Sequence, residues 1–151
     1  MRKIIAVPLF VLLLMLTGCN NVPLEDEETI EKQEEMTQEE ALDYIEQFTY
    51  RLVEASLEED GSYSQTSFLQ AALAKYESTT KKINDKYNDS PLTKRILKLG
   101  DHAELGAEKG LEGDLIIFRI HLDLIIEEVK EISAEYLGGE LPISIKVLEG
   151  L

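Results

Sequence analysis

The chain has one cysteine, no tryptophan and only two histidines among 151 residues. A single thiol excludes a disulfide scaffold, and two imidazoles leave little material for metal binding or for acid–base catalysis near neutral pH. Bases are scarce as well, with 15 Lys and Arg against 30 Asp and Glu and a formal charge of −15. Nucleic-acid binding needs clustered cations to meet phosphates, so nucleic acid is not an expected partner. The motifs of common catalysts are also missing: there is no GxxxxGK[ST] phosphate loop, GxSxG elbow, HExxH zinc helix or CxxC pair. The segment from Glu58 to Gly61 carries the glycine of a calcium loop but would put Ser67 where the bidentate acid belongs, so it reads as a turn. The expectation is a protein that is not an enzyme, with no catalytic residue, cofactor or dedicated metal ligand.

What the chain does have is a 44% apolar fraction arranged with regular spacing, enough for one domain with a core. Its first residues stand apart from that domain. Met1-Arg2-Lys3 is a basic start, and Ile4 to Leu16 is an uninterrupted run of 13 apolar residues. As a helix such a run rises about 20 Å, short of the roughly 30 Å of a bilayer's hydrocarbon core, so it reads as a signal segment and not as a permanent span. The run ends at Leu16-Thr17-Gly18-Cys19.

Those four residues resemble the lipobox of bacterial lipoprotein precursors, in which a small residue precedes the modified cysteine. The resemblance covers the leader alone. It implies cleavage between Gly18 and Cys19, a diacylglycerol thioether on Cys19, and acylation of the new amino terminus in many such precursors. The position suits that chemistry, because the only thiol in the chain directly follows the hydrophobic run. Two acyl chains anchor a protein stably where one holds it marginally. Loss of residues 1–18 removes Arg2 and Lys3 and leaves 13 bases against 30 acids, a formal charge of −17. The expected location is the extracytoplasmic face of a cell membrane, with a composition that suggests a Gram-positive source.

Residues 19–36 read as the lipidated cysteine followed by an acidic tether, with acids at 25, 26, 27, 28, 31, 34 and 35 and one base, Lys32. So few apolar residues cannot bury a face. The stretch is a solvated linker, an extension of the first helix, or a docking strip for a basic partner.

Residues 37–137 carry helical periodicity. Thr37 and Glu40 have capping-box spacing, and Leu42, Ile45, Phe48, Leu52 and Ala55 follow at intervals of three or four before Asp60-Gly61. Ser62 and Gln65 offer a second cap, opening a long helix through Leu69, Ala72, Leu73, Tyr76, Ile83 and Tyr87. Ser90 with Pro91 at the first helical position starts a third helix, about 91–109. Its stripe shrinks from Leu92, Ile96 and Leu99 to Ala103, Gly106 and Gly110, which invites close packing of a neighbour or a kink near 106–113. Gly113-Asp114 opens the most apolar segment of the mature chain, ending at Leu137 before Gly138-Gly139. Its polar residues Arg119, Asp123, Glu127 and Lys130 share one narrow arc, so this helix is expected to be central, with neighbours on two or three sides. Arg119 and Asp123 read as an ordinary pair four residues apart. The fold class is therefore all-α, an antiparallel four-helix bundle.

The tail, residues 138–151, has apolar residues at 143, 145 and 147 around Ser144 and Lys146, a two-residue alternation that predicts an extended, strand-like segment. Such a tail either packs across the bundle or adds to a partner's sheet. His121 lies in the wide apolar arc of the fourth helix and reads as a core histidine bonded to a carboxylate or carbonyl. A site joining it to His102 and an acid is the other reading. Function is expected to be that of a non-catalytic interaction or accessory module of the cell envelope, bound to the membrane through Cys19 and to another envelope protein. The alternative is a helical receptor for a small ligand or metal.

Overall fold

A computed structural model of the chain describes residues 33–151, so the signal segment, the Gly18-Cys19 junction and most of the acidic tether lie outside the described residues. The elements are α1 Gln38–Leu57, α2 Tyr63–Lys86, α3 Pro91–Leu111, α4 Leu115–Tyr136 and α5 Ile143–Glu149. The fold is an all-helical bundle with no strand among the described residues; an isolated bridge joins Glu34 to Tyr87. No helix among those residues is long and apolar enough to cross a membrane.

Local chemistry sets the helix ends. At α1 the Thr37 hydroxyl accepts from the Glu40 amide at 3.3 Å while the Glu40 carboxylate accepts from the Thr37 amide at 3.0 Å, so two orphan donors are met reciprocally. Ser62, Ser90 and Asp114 cap α2, α3 and α4 through the amides of Gln65, Thr93 and Ile117. Gln65 does more than its cap spacing foretold. It is almost fully buried, accepts from the Gly61 amide at 2.8 Å and donates to the Ala55 carbonyl at 3.2 Å, giving one of α1's free carbonyls a partner from the next helix.

The tether ends earlier than its charge suggested. Gln33 donates to the Asn84 carbonyl at 3.1 Å, Glu34 exchanges backbone bonds with Lys86 and Asn88 at 3.0 Å each, and Met36 is buried. Residues 33–36 therefore belong to the domain. Lys86 completes this corner by donating to Glu40 at 2.6 Å. That ammonium, followed by the Thr37 amide, holds the Glu40 carboxyl at about 2 against an ordinary 4.5. A carboxyl depressed in the folded state contributes stability that is complete above about 4.5 and is lost as pH falls through that value towards 2, because the unfolded chain takes up the proton first. Urea unfolding at pH 7, 4 and 2.5 should therefore show a smaller acid loss in Glu40→Gln than in the wild type, while equal losses would deny the pair a role in acid stability.

The core runs through all five helices. Ile45, Phe48 and Leu52 of α1, Leu69 and Ile83 of α2, Ile96 and Leu99 of α3, Phe118, Ile125, Val129 and Ile132 of α4 and Ile145 of α5 are all buried. α3 is α-helical to Leu111, and the chain turns at 112–113 with Gly113 at φ 84°. Its small residues permit contact: a Cβ added at Gly110 would stand 2.8 Å from Leu69 Cδ1, closer than carbon atoms pack. α3 pairs most extensively with α4, α2 lies against α1 and α3, and α4 touches α1 more lightly.

Two expectations are corrected. The tail is not strand-like: its residues form α5, with Ile143 and Val147 exposed at 70% and 59% while Ser144 and Ile145 are buried and Leu141 and Leu148 pack on the core. The buried spacing 141, 145, 148 is helical, and Gly150, in the left-handed region at φ 70°, closes the helix. Four apolar residues in seven, at 143, 145, 147 and 148, fit either period, so tertiary contact decided between them. Nor is α4 enclosed. Ile116, Ile120 and Leu124 are 74%, 47% and 40% exposed, one turn apart on a face left largely open by the described helices.

A polar relay fastens α5 to α1. The Ser144 amide donates to the Glu46 carboxylate at 3.1 and 3.2 Å, the Ser144 hydroxyl donates to it at 2.8 Å, and Thr49 Oγ1 lies 2.7 Å from Ser144 Oγ. Thr49 Oγ1 is also 2.9 Å from the Ile45 carbonyl, so two hydroxyl protons serve three contacts. Ser144 gives its proton to the Glu46 carboxylate, so the single Thr49 proton is shared between the Ile45 carbonyl and Ser144 Oγ. Lys130 of α4 adds an ion pair to Glu149 at the end of α5.

Candidate functional site

α3 and α4 bring the chain's two histidines together. His102 and His121 lie on facing surfaces of the two helices, both half-buried, with their Nδ1 atoms 3.3 Å apart. The ring centroids are 5.4 Å apart and the planes are inclined by 42°. Gly106, one turn beyond His102, makes the approach possible, since a Cβ there would lie 3.1 Å from the His121 Cβ. Phe118 packs from below in the sequence of α4, its ring and carbonyl 3.9 Å from the same point.

Two imidazoles this close do not both hold protons easily. Burial first, and the charge of His102 second, lower the His121 pKa below the ordinary imidazole value of 6.5. A neutral ring offers a lone pair, and among the described residues neither ring makes another hydrogen bond to protein. His121 is thus not bonded to a carboxylate or carbonyl, as its place in the apolar arc had suggested. The acid beside His102 is otherwise engaged: Asp101 accepts from the Tyr76 hydroxyl at 3.0 Å. Burial, followed by that bond, pushes the Tyr76 phenol up to about 12. No group of three or more His, Cys, Asp or Glu that could hold a metal occurs among the described residues.

Other charged residues make fixed contacts. Arg119 does not pair with Asp123; it reaches the turn between α1 and α2, where it meets both carboxylate oxygens of Asp60 at 2.9 and 2.8 Å. That contact gives the 58–61 segment a structural use. Arg95 of α3 donates to Glu128, Glu131 and Glu135 of α4 at 2.5, 2.7 and 2.8 Å, and Glu128, the most buried of the three, anchors the set.

No family model, curated protein or solved structure matches the chain.

A groove of about 550 Å³ between α1 and α2, lined by Glu46, Gln47, Tyr50, Arg51, Ala71 and Lys75, was not visible in the sequence. Arg51 is held there, paired with Glu54 and stacked 5.0 Å from the Tyr50 ring centre and 5.6 Å from that of Phe68. Glu46 is engaged by Ser144. With most of its polar groups already partnered, the groove shows less unused chemistry than the two histidines or the exposed α4 face. Gly18 and Cys19, where the sequence leads one to expect cleavage and lipidation, lie outside the described residues.

Proposed function

We propose that the protein is a lipid-anchored, non-catalytic interaction module of the bacterial cell envelope, docking another envelope protein through the exposed face of α4. The observation that carries this reading is the stripe Ile116, Ile120 and Leu124, with Leu105 of α3 also 42% exposed. Apolar side chains one helical turn apart in water are uncommon on a chain so rich in charge, and such a face gains free energy when a partner covers it. The mature chain's charge of −17 favours a partner surface that is apolar at its centre and basic at its rim.

The leader supports the location. Cleavage after Gly18 and a diacyl thioether on Cys19 would retain the domain on the extracytoplasmic face of the cell membrane, in a Gram-positive cell by composition. The acidic residues between Cys19 and Lys32 would resist anionic headgroups and hold the α4 face off the lipid. The bundle is proposed to be of the antiparallel four-helix kind, closed at one side by α5. Arg95 near the start of α3 meets the second half of α4 while Gly110 near its end meets Phe118, and Glu40 at the start of α1 meets Lys86 at the end of α2, which supports that sense of pairing.

Photo-crosslinking through a benzoylphenylalanine at Ile120, in native membranes, tests the reading. A single envelope protein should be captured, and the adduct should disappear in Cys19→Ala and weaken with Ile116→Asp. Capture that persists unchanged in both variants, or no capture at all, would overturn it.

A further inference from the structure

We propose that His102 and His121 form a bidentate site for a borderline divalent transition-metal cation, Zn²⁺ in the first instance, bridging α3 and α4. The two residues are the chain's entire complement of histidine, and they arrive from separate helices 19 positions apart at one point. Their spacing matches the chemistry. Two nitrogens about 2.0–2.1 Å from a tetrahedral ion lie about 3.3 to 3.4 Å apart, whereas neighbouring positions of an octahedron would bring them to about 2.9 Å. The observed separation is 3.3 Å. The same geometry places ring centres about 5.2 Å apart when each ring points its Nδ1 at the ion, and the observed distance is 5.4 Å. The ion would replace the Nδ1–Nδ1 hydrogen bond, with each ring turning until its lone pair meets the shared point.

The surroundings favour such a cation over others. A chain with twice as many acids as bases concentrates cations near its surface. Nitrogen donors then select among them: Mg²⁺ and Ca²⁺ prefer oxygen, while Zn²⁺ and Cu²⁺ suit imidazole. Both residues are only partly buried, which leaves water a route to the remaining two coordination positions. Gly106 has a role here as well, because any side chain at that position would push His121 away from His102. Binding requires neither the lipid anchor nor a partner protein.

The test is titration calorimetry of the full chain in detergent, stripped with chelator, with ZnCl₂ at pH 7.5 in a background of millimolar Mg²⁺. The wild type should bind one equivalent that Mg²⁺ does not displace. His102→Ala and His121→Ala should each weaken binding by at least about tenfold, since loss of even a supporting group around a metal costs that much. A second measurement needs no variant: imidazole ¹⁵N spectra of the wild type should show both Nδ1 resonances moving to metal-bound positions at one equivalent. Zinc binding unchanged in both alanine variants, with the imidazole resonances unmoved, would assign the metal to surface carboxylates and overturn the site. Absence of Mg²⁺-resistant binding in the wild type would overturn it equally.

Discussion

Phe118→Ala should destabilise the domain by about 3 to 5 kcal/mol, among the largest losses available to a single substitution in this chain. The ring is 1% exposed and packs against the α3 backbone where Gly106 and Gly110 leave room for it. Truncation removes the transfer free energy of a whole ring and leaves a cavity that two helices held at fixed separation cannot close. At roughly 4 to 8 °C per kcal/mol for a domain near this size, melting should fall by more than about 12 °C. Ile116→Ala, two residues earlier on the same helix but 74% exposed, should change stability by no more than about 0.5 kcal/mol. Thermal unfolding of the pair reads the orientation of α4 directly. Similar losses from both would mean that the helix is rotated relative to this packing, or that Ile116 is covered in solution.

Ile145→Ala is expected to cost about 2 to 5 kcal/mol and to act on the whole domain. Ile145 is fully buried against α1 and lies beside Ser144, whose hydroxyl and amide satisfy the Glu46 carboxylate. A helix of seven residues has no stability of its own in water, so its order comes from this contact and from the Lys130–Glu149 pair. Two measurements separate a built-in element from a detachable one. If α5 is part of the cooperative core, the variant's melting temperature falls and amide exchange quickens in α1 as well as in residues 143–149. If exchange quickens in 143–149 alone with melting unchanged, α5 is a locally opening segment.

Much of the helical framework is legible in the sequence. Thr37 with Glu40, Ser62, Ser90 with Pro91, and Asp114 mark four helix starts, and the structure has helices opening at each of them. Ile45, Phe48, Leu52, Leu69, Ile83, Ile96, Leu99, Phe118 and Ile125 were readable as core from their spacing, and all are buried. The candidate site was only half legible. A meeting of the two histidines could be raised from their placement on neighbouring helices, but not that, among the described residues, they bond to each other and to no acid. Arg119 shows the same limit: Asp123 is its neighbour on the helix, while the partner it takes, Asp60, is 59 positions away.

What the sequence by itself determined are features whose causes lie within a few residues: the caps, the periodicity and the acidic balance. A cap is a bond between residues three apart, and a buried stripe follows from 3.6 residues per turn, so neither needs knowledge of the rest of the chain. Only the tertiary structure decided which apolar residues remain outside. By hydropathy Ile116, Ile120 and Leu124 are indistinguishable from Phe118, Leu122 and Ile125, and their exposure results from how α4 is rotated against its described neighbours. It also decided that the alternating tail is α5 and that His102 faces His121. Such outcomes depend on how closely helices approach and how each is rotated about its axis, quantities set by the sum of many small contacts across the core.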